Sequence, residues 1–235
     1  MNESKKLIIL GAGGHGKVVA DTALSAGFNV IGFLDDDERK WGRRILGIPV
    51  IGSTNLVYKI AREGKANYGI AAVGDNIIRA KLYYKIIEAG LKPATIIHPY
   101  AYVARDTYIG QGTVVFAGAV IQPGSIIGDN VIINTAASID HDNKILHHVC
   151  INPQATLAGG VTVGYYSTIH TNAIIAPYIK IGDNAIIGAG AVVLHDVQND
   201  HVVVGVPGRF LKYNENKPPK TLIEKLFNSC LLYTS

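Results

Sequence analysis

Starting at Ile97 and ending at Val193, every sixth residue is isoleucine, valine or leucine, seventeen positions without an exception. Four residues after each lies a second column, small or aliphatic at sixteen of its seventeen members; the misfit is Asn143. A period of six fits neither the 3.6-residue stripe of an α-helix nor the two-residue alternation of an ordinary strand. It is the hexapeptide signature of a parallel β-helix, in which each short repeat forms one side of a coil. Three sides give about 18 residues per coil, so residues 97–198 make between five and six coils. Strand side chains alternate between faces, which turns both columns inward. Glycine or asparagine directly after the aliphatic residue, as at Gly110, Gly128 and Asn134, suits a tight corner between sides.

Ahead of the ladder the pattern is different. Lys6–Leu10 is a short apolar run, and a helical pattern follows with Val18, Val19, Thr22, Ala23 and Ala26 on one face. Asn29–Leu34 reads as a buried strand, which completes a βαβ unit. Residues 47–52 and 68–73 predict two more strands, with a helix over 54–63 between them and another over 76–89. Residues 1–95 are therefore expected to form a Rossmann-like α/β domain with a parallel sheet, and residues 96–212 an all-β parallel β-helix. Residues 201–213 look like a strand and turn capping the open coil. Residues 213–235 are a proline-containing linker and tail, in which Leu222, Ile223, Leu226 and Phe227 suggest a short amphipathic helix.

With 48% hydrophobic and 17% charged residues, the chain suits a large core with few exposed helices. Its net charge of +4 is modest and its lysines and arginines are scattered, which argues against a nucleic-acid partner. A small polyanion such as a nucleotide or coenzyme A needs only a few local cations. Cys150 and Cys230 cannot build a disulfide framework and read as reduced thiols. The amino terminus is too polar for a signal peptide, and no apolar stretch approaches ~18 residues, so a cytoplasmic protein without membrane insertion is expected.

Three groups of residues carry possible chemistry. Gly11-Ala12-Gly13-Gly14-His15-Gly16 matches the dinucleotide fingerprint after a strand and before a helix, with Asp35 ending the next strand. An NAD enzyme needs a second mononucleotide half, for which residues 1–95 leave little room; a nucleotide-sugar diphosphate suits the loop better, and a purely structural turn is the remaining reading. His141 lies just past a corner between Asp140 and Asp142, where a near-neutral imidazole beside a carboxylate suits a general base. Adjacent strand residues face opposite ways, so Asp142 reaches the ring only if the corner permits. His147, His148 and His170 raise the question of a trigonal zinc site, as on the β-helices of γ-class carbonic anhydrases. Counted by eighteen, however, His141 stacks under Gly159 while His147 falls on the next face, so one chain does not gather them and no metal is expected. A purely architectural solenoid leaves both the glycine loop and the polar cluster at Asn143 without a purpose.

Taken together, the GAGGHG loop, the unbroken hexads, the stretch NTAASIDHD (residues 134–142) and the terminal GVPG (residues 205–208) resemble the PglD- and NeuD-type sugar acyltransferases of the hexapeptide-repeat superfamily. That resemblance implies left-handed coils, a departure from the usual right-handed crossover. It also implies a homotrimer with acetyl-CoA, as co-substrate, in the cleft between adjacent prisms. By position, it makes His141 the catalytic base and Asp142 the acid that enhances it, and puts Asn134 near the accepting group of the sugar. Gly13, Gly14, His15, Asp35, Asp36 and Gly74 would line the nucleotide site, with Cys150, Gly159, Thr171 and Ala189 on the acetyl-CoA side. Many relatives carry a second histidine where this chain has Cys150; either that acetyl-CoA contact is lost or His147 or His148 replaces it. The implied reaction is N-acetylation of a nucleotide-activated 4-amino sugar, with O-acetylation of a sialic acid or similar sugar as the alternative.

Overall fold

The structure, a computed structural model, describes residues 5–230, and the side chains of residues 5–226. The Phe227 side chain, the Cys230 thiol and the end of the tail fall outside that set.

Strand β1 (Lys6–Leu10) is flanked by β2 (Asn29–Leu34) and β5 (Tyr68–Ala71), both parallel to it. Leu7, Ile8, Ile9 and Leu10 are all sealed from solvent, as a parallel strand covered on both faces must be. Outer strands β4 (Ile48–Gly52) and β6 (Lys92–Pro93) extend the sheet, and helices α1 (Gly14–Ser25), α2 (Leu56–Arg62) and α3 (Asn76–Glu88) complete the domain. The sheet departs from the all-parallel expectation at one edge, where β3 (Arg44–Ile45) pairs antiparallel with β4 and the order becomes β3-β4-β2-β1-β5-β6.

Beyond residue 95, each side of a coil is a two-residue strand that pairs in parallel with the strand 18 residues later, as in Val114↔Ile132↔Cys150↔Thr168. The strands stack into three sheets, the three faces of a left-handed β-helix. The ladder fills the interior: from Ile121 to Val193 its members are 2% exposed or less. In the first coil Ile97 is 38% exposed, because no earlier coil covers it.

The corner residue is not the one expected. The backbone turns three residues after the aliphatic, where Asn130, Ala136, Asp142, His148 and Gln154 all have φ between 54 and 63°. Glycine directly after the aliphatic answers a different need, since a Cβ on Gly110 would lie 2.6 Å from the Gly128 carbonyl carbon in the next coil. Close stacking of coils excludes a side chain there.

The outward positions explain how the domains join. On the first face Ile96, Val114, Ile132 and Cys150 are buried in one cluster with Val19, Ala20 and Ala23 of α1, while Thr168 and Ile186 in the later coils are half-buried. On the other faces they include Thr156, Lys144 and Lys180, which stay polar and open. At the centre of the junction lies Arg79 of α3, 1% exposed, whose guanidinium donates to the carbonyls of Asn130, His148, Val149, Val73 and Gly74 and to Asn76 Oδ1. The hairpin of His201–Val204 and Arg209–Tyr213 caps the coil, and α4 (Lys220–Cys230) returns to α3, where Leu222 and Leu226 pack with Tyr84 and Lys225 pairs with Glu88.

Candidate active site

His141 stands on the edge between the second and third faces. Asp142 takes the left-handed corner at φ 58°, and this turn brings two successive side chains together. His141 Nδ1 lies 2.8 Å from Asp142 Oδ2, so the strand alternation that would have separated them does not operate at the corner. The bond to Asp142, helped by the charges of Asp140 and Asp142, pushes the His141 pKa above the ordinary histidine value. With Nδ1 given to the carboxylate, the neutral ring keeps its lone pair on Nε2, which makes no hydrogen bond among the described residues.

One coil above is Gly159. A Cβ there would lie 2.6 Å from both Cε1 and Nε2 of His141, so only glycine leaves the ring its place. The Gly159 backbone N–H donates no hydrogen bond among the described residues and is available to a ligand. Asn143, the flaw in the ladder, is fully buried beneath this corner. Its Nδ2 donates to the carbonyls of Asp140 (2.6 Å), Ala158 (3.0 Å) and His141 (3.3 Å).

The glycine loop forms the second centre. Helix α1 begins at Gly14 with Gly13 as an N-cap that offers no side chain, and among the described residues the N–H groups of Gly13, Gly14 and His15 make no hydrogen bonds. Free donors at a helix amino terminus suit an anion. Asp35 braces the loop by accepting from the Ala12 N–H and Lys40 Nζ, each at 2.8 Å, and Asp36 turns away to Thr54. His15 packs edge-on against Phe116, and burial, with the nearby Arg79 charge, pushes its pKa down to about 4.

Between the domains lies a cavity of about 410 Å³. His15 and Gly74 reach it from the α/β domain, Asn134, Cys150, Asn152 and His170 from the first face, and Asn214 and Asn216 from the tail. Four of the sequence-derived candidates thus share one space. Cys150, assigned above to the acetyl-CoA side, lies instead among the sugar-side and nucleotide-side candidates, and burial raises its thiol pKa. Asn152 and His170 were not singled out as wall residues, although eighteen-residue steps from Asn134 lead to both. Asn214 and Asn216 left no such signal.

Thr171 and Ala189 are exposed on the edge between the first and second faces, one prism edge away from His141 and Gly159. His148 serves the domain junction, and His147 lies beside it against Asp129 and Tyr165. His147 Nδ1 accepts from the Asp129 N–H at 2.8 Å, while His148 is sealed among Tyr84, Tyr166 and Asn130 and is held neutral by burial. Among the described residues no three histidine, cysteine or acidic side chains converge as metal ligands, and no helix is long and apolar enough to cross a membrane.

Residues 6–86 match the family described as the PglD N-terminal domain. The perosamine N-acetyltransferase of Caulobacter crescentus, solved with CoA and GDP-perosamine, superposes with a TM-score of 0.84 at 35% identity, covering 88% of this chain and 97% of that one. The chain belongs to the PglD-type family of hexapeptide-repeat acetyltransferases. Another member with a solved structure, the acetyltransferase domain of PglB from Neisseria gonorrhoeae in complex with acetyl coenzyme A, is 38% identical with a TM-score of 0.82, over 89% of this chain and all of that one. The GDP-perosamine N-acetyltransferase of Escherichia coli O157:H7 is 31% identical over 70% of this chain; the match spans 65% of the E. coli protein.

Proposed function

We propose that the protein transfers the acetyl group of acetyl-CoA to the amino group of a nucleotide-activated 4-amino sugar. The observation that carries this reading is the His141–Asp142 pair at 2.8 Å, with Nε2 unbonded beside the free N–H of Gly159. The neutral sugar amine attacks the thioester carbonyl carbon, His141 Nε2 takes its proton, and the Gly159 N–H supports the oxyanion. Collapse of the tetrahedral intermediate expels the CoA thiolate, which receives the proton from His141.

The free N–H groups of α1 suit the diphosphate, and the amide-lined cavity suits the sugar hydroxyls. The C. crescentus enzyme, solved with CoA and GDP-perosamine, supports this pair of substrates, and the N. gonorrhoeae domain, solved with acetyl coenzyme A, supports the acetyl donor. Two solved forms of the former carry asparagine or alanine in place of one histidine. Thr171 and Ala189 lie on a different edge from His141, so a single acetyl-CoA meeting all three needs two prisms side by side; a homotrimer supplies that cleft three times. Dependence on acetyl-CoA as co-substrate supports a cytoplasmic place of action.

The test is thiol release from acetyl-CoA with UDP-, GDP- and dTDP-linked 4-amino sugars and with free sialic acid. Turnover with one or more of the nucleotide amino sugars is expected. Turnover with sialic acid alone would replace N-acetylation by O-acetylation.

A further inference from the structure

Asn143 is the one ladder position that is neither small nor aliphatic, and it is paid for in stability. Its Oδ1 is buried without a hydrogen bond, a penalty that valine or alanine would not carry. Other polar members of the same column follow a simple rule: Thr113, Ser125 and Ser167 each donate to the carbonyl fifteen residues ahead, at Gly128, Asp140 and Gly182, at 2.7–2.9 Å, and Thr107 does so to Gln122 at 3.5 Å. Asn143 obeys the rule with its 3.0 Å bond to Ala158 and adds two bonds backward, to Asp140 and His141.

We propose that Asn143 is a positioning residue that joins the base and the oxyanion donor into one rigid unit, an inference that rests on the acetyl-transfer reading above. The Ala158 carbonyl and the Gly159 N–H belong to one planar peptide, so holding the oxygen fixes the direction of the N–H. A hydrogen bond on that carbonyl also polarises the peptide and makes its N–H a better donor. The carbonyls of Asp140 and His141 flank the Cα that carries the imidazole, so the same amide sets where the ring starts. Asn143 touches no substrate. It acts through the two groups that do.

Two variants separate its arms. Asn143→Val restores the apolar column and removes the unpaired Oδ1 but loses all three bonds; the Asp140 and His141 carbonyls keep Ser125 Oγ and the Gly160 N–H while the Ala158 carbonyl loses its donor, so a melting temperature close to that of the wild type is expected. Its kcat is expected to fall by about 10- to 100-fold, with KM for both substrates within about twofold. Asn143→Ser, by the fifteen-residue rule, keeps the bond to Ala158 and loses the other two, and its kcat is expected to lie between those of the wild type and the valine variant. Because Asp142 sets the basicity of the ring, the pH profile is expected to keep its midpoint in both. The inference is overturned if Asn143→Val turns over within about twofold of wild type, if its loss appears in KM, or if serine recovers nothing over valine. His141→Ala is the control for the underlying reading: if that variant also keeps its turnover, the base assignment fails and the role of Asn143 falls with it.

Discussion

Replacing Gly159 with alanine is expected to silence the enzyme while leaving its fold intact. The added Cβ would lie 2.6 Å from Cε1 and Nε2 of His141, against the ~3.5–4.0 Å at which carbon atoms normally meet. The ring must therefore retreat by about 1 Å, and its side chain, 50% exposed, has room to do so. A reacting group misplaced by that distance costs about 100-fold in rate, or roughly 2.7 kcal/mol of transition-state stabilisation. Gly159 is not among the left-handed positions, so alanine fits the backbone, and stability is expected to change by less than about 1 kcal/mol. Gly160 provides the contrast. Its φ is 71°, where alanine costs about 1–2 kcal/mol, so Gly160→Ala loses stability first. The assay is CoA thiol release at saturating substrates, set against thermal unfolding of both variants. Wild-type kcat in a well-folded Gly159→Ala enzyme would refute the stacking of this residue on the catalytic ring.

Asp142→Asn removes the main cause of the raised His141 pKa, so an NMR titration of that ring is expected to move toward lower pH, with a reduced plateau rate; an unmoved midpoint would contradict the coupling. Arg79→Met leaves carbonyls of both domains without their donor and is expected to cost about 3–5 kcal/mol, read by chemical unfolding; Arg79→Lys is expected to rescue little, since an ammonium cannot span the same fan of acceptors. Burial lowers the pKa values of His15, His147, His148 and His170, so below about pH 6.5 the unfolded chain binds protons that the folded one refuses, and stability falls with pH. His141 is shifted the other way, but this one exposed ring does not offset four lowered ones, of which His148 is sealed from solvent. A melting temperature that stays flat from pH 7.5 to 5.5 would count against this.

The ladder made the coil legible because its period comes directly from three-sided stacking, and the eighteen-residue step that placed Gly159 over His141 matches the strand register. The glycines at Gly110 and Gly128 were legible as special but not for the right reason, since a sequence does not distinguish a left-handed corner from a close approach between coils. The His141–Asp142 contact depended on the φ of Asp142, which no pattern of residue types reveals. His147 and His148 looked like candidates because nothing local marks which prism edge the other domain covers. Arg79 passed unnoticed for a similar reason: a lone arginine on a helix reads as surface until the fold surrounds it with carbonyls.

The central claim is that His141 is the base for acetyl transfer, and the most direct measurement is single-turnover acetyl transfer by His141→Ala with acetyl-CoA and the accepted amino sugar both saturating. The expected result is a loss of about 10²–10⁴ in rate, with acetyl-CoA binding and oligomeric state unchanged. Near-normal transfer by that variant would contradict the claim.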